Sequence, residues 1–284
     1  MQKRVAVAAA AFALGAAVTP AQADADLFIV GLVGPGAIAL SEPIDQDAST
    51  LTIQGLMSGA YNFTPELGVQ GDILVTSLSA DFDNYESDKT SLDGALHLFY
   101  RDPDRFLLGG FVQLGSDTYE NDLGYSQRAT RAYLGLEGQV FVDSLTLYGQ
   151  IGATSISFDD PEVEGTGWFG TIEARYFLTP DFKIAASAGF VQYDLDIFGM
   201  DSASTNLMVG ASAEYKLPDL PISLLAKVDY VQATTDQFDA VADQTRVMFG
   251  VKFAIGEDTL QDRDRGGASL KPVEPGEILF GGPS

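Results

Sequence analysis

From Leu51 to Phe253 the sequence repeats one arrangement: a run of about ten to thirteen residues with apolar alternation, a tight turn, a second such run, then a longer polar connection. Period-two alternation puts successive side chains on opposite faces of a strand, and runs joined end to end in this way fold as an antiparallel meander. The tight turns are Thr64-Pro65-Glu66, Asp102-Pro103-Asp104, Asp143-Ser144, Thr179-Pro180-Asp181 and Pro218-Asp219-Leu220-Pro221. Their residues preset φ or cap their own backbone. The longer connections, Asp81 to Lys89, Tyr119 to Gln127, Asp159 to Gly165, Asp196 to Ala203 and Asp236 to Asp243, are rich in acidic and small polar residues. Short and long connections alternate strictly, which predicts a closed barrel with turns at one end and loops at the other.

Eleven runs fit between residues 51 and 255, an odd count that leaves one strand without a partner. Leu27 to Leu40 (LFIVGLVGPGAIAL) is the remaining candidate for a first strand. It brings the expected number to about twelve, with ten as the lower bound, and both termini to the turn end. Gly34-Pro35-Gly36 interrupts it, and proline withholds a ladder N–H, so the alternative is a segment lying inside the lumen.

Parity separates two faces. Ala132, Leu134, Leu136, Gly138, Val140 and Val142 oppose Arg131, Tyr133, Glu137 and Gln139; Trp168, Gly170, Ile172, Ala174, Tyr176 and Leu178 oppose Thr171, Glu173 and Arg175. Near the end, Val247, Phe249, Val251 and Phe253 oppose Arg246, Met248 and Lys252. A soluble barrel would bury the apolar face, so alternation alone does not give its polarity. Three features favour an apolar outside: the strands are too many for a small packed core, the apolar stripes contain much Gly and Ala, and aromatics gather at strand ends. Tyr61, Phe63, Tyr100, Phe106, Tyr176 and Tyr215 lie beside the turns, and Phe82, Phe158, Trp168, Phe198 and Tyr230 lie nearer the loops. Two such girdles suit the interfaces of a bilayer. Strands of this length, tilted by roughly 40°, cross on the order of 25 to 33 Å.

Composition agrees once it is read this way. A mean hydropathy of +0.08 with 46% hydrophobic residues resembles a soluble protein, but a spanning strand needs apolar residues only at alternate positions. Residues 1–23 combine Lys3 and Arg4, an apolar run from Val5 to Val18 and an Ala21-Gln22-Ala23 ending, the pattern of a cleavable signal peptide. Its removal takes two positive charges and moves the net charge from -24 to -26. That acidity argues against nucleic-acid partners. It suits acidic loops near outer-membrane lipids and lipopolysaccharide, whose phosphates share divalent cations, although solvated charge explains it equally. The absence of Cys is neutral.

Signal peptide, hairpin array and the last run Thr245-Arg-Val-Met-Phe-Gly-Val-Lys-Phe253 together resemble the porin-like outer-membrane β-barrels of proteobacteria, over residues 24–255 and by pattern rather than by a motif. The resemblance implies an antiparallel transmembrane β-barrel in the outer membrane, with the terminal aromatic Phe253 as an assembly signal to the barrel-assembly machinery. The chain departs from that pattern in a further segment, residues 256–284. It holds Asp262-Arg263-Asp264-Arg265-Gly-Gly and few apolar residues, and reads as a flexible periplasmic tail.

The second parity carries Arg101, Arg131, Arg175, Lys183, Lys216, Lys227, Arg246 and Lys252 against Asp72, Asp93, Glu137, Glu173, Glu214 and Asp229. Charge of both signs inside a barrel of intermediate width points to a narrow polar passage, with the pairing of neighbouring strands as the plainer role of any one residue. The resulting expectation is a porin-like channel for passive diffusion of small polar solutes or ions. A structural or surface-interaction barrel with a plugged lumen is the alternative, although loops this short offer little interface. A barrel-embedded lipid-modifying enzyme is the third reading. His97, the single histidine, lies on the lumenal parity with Asp93 and Arg101, nearer a turn than the loops, where a lipid-cleaving Ser-His pair has no use for it. No metal-ligand cluster, nucleophile elbow or phosphate-binding Gly motif is present, so no cofactor and no enzyme activity are expected. Nothing in the sequence fixes an oligomeric state.

Overall fold

The computed structural model describes residues 25–41, 45–159, 162–197, 200–236, 240–256 and 258–274. The segment read as a signal peptide, Phe198 and residues 275–284 lie outside these. The described residues form a closed barrel in strict meander order, with the first strand paired to the last. Its twelve strands are β1 (Ala25–Leu40), β2 (Gln46–Asn62), β3 (Leu67–Phe82), β4 (Glu86–Asp102), β5 (Phe106–Asn121), β6 (Ser126–Val142), β7 (Leu145–Asp159), β8 (Glu162–Thr179), β9 (Phe182–Ile197), β10 (Met200–Lys216), β11 (Ile222–Thr235) and β12 (Ala240–Ile255). Closure leaves no edge, so every strand has a backbone partner on both sides. Among the described residues one helix, α1 (Leu260–Gly266), follows the barrel.

The segment interrupted by proline is a full strand. β1 pairs with β2 through Pro35, opposite Leu51, but its ladder to β12 lapses at residues 34 and 35 and resumes in the same register at Gly36. The N–H that proline lacks thus falls at the closing seam, where no bond is drawn from it. Gly34 permits the close approach there, because a Cβ would stand 1.8 Å from the Val247 carbonyl oxygen.

The connections at the two ends do not differ as the polarity pattern predicts. At the turn end and the loop end alike they are only two to five residues long. Most residues of the expected long loops continue the strands, which run 14 to 18 residues where about 9 to 11 suffice to cross a bilayer. Polar β-formers such as Ser, Thr and Tyr keep the ladder going beyond the apolar band. Sequence polarity alone therefore mistakes protruding hairpin for loop. At the turn end, Asp143 and Asp219 take positive φ, the conformation that short Asp side chains tolerate.

Outward residues are apolar and exposed: Leu134, Leu136, Ile172 and Leu114 are each more than 60% accessible. Inward residues include fully buried Arg101, Arg175 and His97. An apolar exterior around a charged interior is unstable in water and suited to lipid. Among the described residues no helix is long and apolar enough to cross a membrane, so any crossing is made by strands. Tyr61, Tyr100, Trp168, Tyr176, Tyr215 and Tyr230 all project outward. Phe82 and Phe158 do not belong to that girdle: they pack inward with Leu78, Tyr85 and Tyr119, filling the loop end beside β1 to β7.

Candidate functional site

The lumen is occupied. After β12 the chain reverses at Gly256 (φ 131°), and Thr259 caps α1 by accepting the Asp262 N–H at 3.0 Å. The helix lies across the turn end: Gln261 N–H donates to the Pro180 carbonyl at 3.1 Å, and Gln261 and Arg265 both donate to the Asp143 carbonyl. Arg263 pairs with Asp26 of β1 at 3.1 Å, and Asp264 with Arg175 of β8 at 2.6 Å. Gly267 to Glu274 then thread into the barrel interior. The expected flexible tail is therefore a packed plug at least as far as Glu274. Its apolar side chains find in the wall the core that the tail cannot build alone: Ala268 packs with Phe28, Val30, Leu32 and Met248, Leu270 with Phe99, Leu107, Phe141 and Tyr148, and Val273 with Phe111, Tyr133, Phe169, Val191 and Tyr193.

Wall glutamines hold the plug by its backbone. Gln70 Nε2 donates to the Leu270 carbonyl at 2.8 Å, and its Oε1 accepts from Ser269 N at 3.1 Å and Leu270 N at 3.2 Å. Gln113 does the same for Val273, donating at 2.9 Å and accepting at 2.7 Å. Gln150 donates to the Lys271 carbonyl at 2.8 Å, and Gln139 to the Ser269 carbonyl at 3.3 Å. Arg101 and Arg175 donate to the carbonyls of Gly267 and Ser269 at 2.8 and 3.0 Å. A segment carried into an interior must satisfy its own peptide groups, and these side chains stand where an adjacent strand would.

The lumenal charges orient those amides. Gln70 Nε2 also donates to Asp72 at 3.0 Å, Gln113 Nε2 to Asp93 at 3.1 Å and Gln150 Nε2 to Glu137 at 3.4 Å. Each carboxylate is answered by a cationic or ionisable partner: His97 lies between Asp72 and Glu137, 2.8 Å from each, and Arg131 bridges Asp93 and Asp117 at 3.2 and 2.8 Å. Lys89, which sequence polarity assigns to a loop, reaches Asp117 at 3.5 Å from inside the wall. His97 is fully buried with a carboxylate on each ring nitrogen, a structural geometry rather than that of a base facing a nucleophile.

On the opposite wall Lys183 and Lys252 share Glu214 at 2.9 and 3.2 Å, and Lys227 and Arg246 share Asp229 at 3.2 and 3.1 Å. Arg175 pairs with Glu173 at 2.6 Å, and Glu173 also meets Lys271 of the plug. Lys216 is inward at the rim, 4.0 Å from Asp181. Glu274 closes the set, 2.7 Å from Lys227 and 3.5 Å from Arg246. Burial works against its ionisation, but Lys227 and Arg246 outweigh that and hold its carboxyl down at about 2. Beside it lies a cavity of about 110 Å³, bordered by Ser187, Met208, Ser212, Lys227, Arg246 and Glu274.

All the lumenal candidates named from parity, His97, Arg101, Arg131, Glu137, Glu173, Arg175, Glu214, Lys216, Lys227, Asp229, Arg246 and Lys252, do face inward, but as a paired framework around a segment and not as the wall of an open pore. Sequence reading placed Gln139 on the lumenal parity but assigned no role to the four glutamines, and it read the plugging segment as a flexible tail. The inward parity of Gln70, Gln113, Gln139 and Gln150, and Leu270 and Val273 spaced through a tail with a Thr259-x-x-Asp262 cap, are the signals that could have found them. Phe253 is outward on β12, paired with Ile29 and Ile222. At the loop end Glu164, Asp194, Asp196 and Asp201 border a cavity of about 550 Å³. Among the described residues no group of three or more His, Cys, Asp or Glu could hold a metal.

A closed, plugged, twelve-stranded meander with an apolar exterior can be set beside solved structures. The translocator domain of the autotransporter NalP from Neisseria meningitidis matches with a TM-score of 0.54 at 15% identity, over 89% of this chain and 94% of that one. The fold is that of bacterial outer-membrane β-barrels. An outer membrane channel from Pseudomonas putida F1 gives a TM-score of 0.53 at 13% identity, over 84% of this chain and 98% of that one. At such identities this outer-membrane-type barrel shares architecture with them and nothing finer. No protein-family model and no curated protein matches the sequence.

Proposed function

We propose that the protein is a porin-like outer-membrane channel for small polar solutes or ions, non-enzymatic, and closed at rest by its own C-terminal segment. One observation carries this reading: among the inward side chains of the wall, the turn-end half of the lumen is completed by a separable stretch of chain, held through amides, ion pairs and the packing of Leu270 and Val273. Twelve strands enclose more room than their own side chains fill, so withdrawal of that stretch leaves a polar passage. The turn end, with both termini of the barrel, is the periplasmic end, where a tail can be reached and pulled. A channel also appears among the solved structures of like fold.

A permanently plugged barrel with a structural role is favoured by the number of ion pairs that the plug makes. Liposome swelling separates the two. Proteoliposomes of the mature chain should admit small sugars and amino acids slowly. The double variant Leu270→Asp, Val273→Asp, which expels the plug from its apolar pockets, should admit them at least about tenfold faster, since unseating two buried side chains costs more than the ~1.4 kcal/mol that a factor of ten represents. Equal, background rates for a correctly folded variant would contradict the channel reading.

A further inference from the structure

The C-terminal segment meets the barrel differently on the two sides of Gly267 and Ala268. Before them, α1 is locked to the rim through groups closed off from water: Arg263 pairs with Asp26 at 3.1 Å and Asp264 with Arg175 at 2.6 Å, and none of the four side chains is more than 5% exposed. The Asp26 carboxylate also accepts the Ala268 N–H at 2.7 Å. It fits because two glycines lie against it, a Cβ at Gly256 standing 2.2 Å from one of its oxygens and a Cβ at Gly267 2.3 Å from the other. Arg101 donates to the Gly267 carbonyl, and the buried Ala268 packs against Phe28, Val30 and Met248. Beyond Ala268 the ion pairs are partly in water: the Lys271 side chain is 44% exposed where it meets Glu173, and that of Glu274 37% where it meets Lys227 and Arg246. The cavity of about 110 Å³ runs beside Lys271 to Glu274, against the small side chains of Ala185, Ser187 and Ser212. The glutamines hold the same stretch from β3, β5, β6 and β7. Exposed pairs contribute little and a buried pair is costly to break, so the stretch beyond Ala268 has the ion pairs that yield first and the room to move.

We infer that the C-terminal segment opens as a hinged gate: Ser269 to Glu274 swing about Gly267 and Ala268, while Asp26 keeps α1 latched to the barrel. The inference rests on the channel reading for its purpose, and it specifies what moves. Hinges are a few element-terminal residues that absorb the change in backbone angles, and Gly267 stands between the end of α1 and the gate. A gate that stays tied at the rim reseats without having to find the lumen again. Asp26 is a positioning residue in this device: it touches no solute and acts through the anchor.

The sequence holds no Cys, so single cysteines in a folded chain of residues 24–284 report on each part. Positions 268 and 272 are both buried, and Pro272→Cys should nevertheless react with a polyethylene-glycol maleimide faster than Ala268→Cys. With Leu270→Asp and Val273→Asp added, modification of Pro272→Cys should quicken at least about tenfold and that of Ala268→Cys less than about twofold, since the two belong to separate units of local opening. Equal quickening at both positions, or none at Pro272→Cys, would overturn the hinge. Asp26→Asn should quicken Ala268→Cys in a barrel that still migrates as folded, and an unmoved rate would overturn the latch. Ser144 adjoins Asp143, whose carbonyl accepts from the Gln261 side chain at 3.1 Å. Linking Gln261→Cys to Ser144→Cys with a short bismaleimide should therefore leave the solute flux of the Leu270→Asp, Val273→Asp chain unchanged, and loss of that flux on linking would overturn the hinge. The same split in accessibility with no flux in any chain would overturn the channel reading and leave the hinge standing.

Discussion

Gln113 holds Val273 at both poles of its peptide backbone, donating to the carbonyl at 2.9 Å and accepting the N–H at 2.7 Å. A strand neighbour would make the same pair of bonds, so this one wall side chain substitutes for a strand across 160 residues of sequence. Asp93 fixes the orientation of the amide, and Arg131 compensates Asp93. The chain from guanidinium to carboxylate to amide to plug makes charged residues deep in the wall act on the closure of the lumen.

Replacing Gln113 with Leu should loosen the plug without disturbing the barrel ladder. Two buried peptide groups of Val273 lose their partner, each at about 1 to 3 kcal/mol. Open probability in planar bilayers should rise by at least tenfold. An unchanged open probability would show that Val273 is held by packing alone.

His97 separates Asp72 from Glu137, and both carboxylates orient glutamines that touch the plug. Changing His97 to Leu leaves two buried carboxylates facing each other, and breaking a buried pair in this way costs about 3 to 5 kcal/mol. The urea midpoint should fall accordingly, and plug release should accompany it. A midpoint equal to that of the unaltered chain would remove His97 from the framework.

Much of the barrel was legible in the sequence because period-two alternation is a direct image of a wall with two different sides. Arg131, Glu137 and Arg175 declare the lumen, and Leu134, Leu136 and Ile172 the lipid, without any partner being known. The upper hairpins were misread because Ser, Thr and Asp have the same composition in a solvated strand as in a loop. The plug was missed for another reason. Residues 267–274 carry little apolar surface of their own, and their order comes from Gln70, Gln113 and Gln150, whose meaning appears only when distant strands are closed into a ring. Parity placed the charges of the wall correctly, yet it held no information about what they face.

Leu136 tests the polarity of the wall. It is 69% exposed near the middle of β6, and an Arg there should cost roughly 2 to 4 kcal/mol and hinder insertion into lipid vesicles. Normal insertion and stability for Leu136→Arg would place this face against something other than lipid.

Acid should act on the plug through Glu274. Its carboxyl is held at about 2, below the ordinary 4.5. Its contribution to closure is therefore complete above the ordinary value and is lost as pH falls through about 2. Open probability should stay level from about pH 7 to 5 and climb on further acidification, with a smaller climb in Glu274→Gln. The same climb in both chains would assign the acid response to another group.

Single-channel conductance of a chain of residues 24–284, measured against one of residues 24–256, is the most direct test of the closure. Both should show the heat-dependent gel mobility of folded barrels before reconstitution. The account predicts rare, brief steps from the full chain and steady ohmic conductance from the shortened one. Steady conductance of equal size from both, or silence from a folded and inserted shortened barrel, would contradict it.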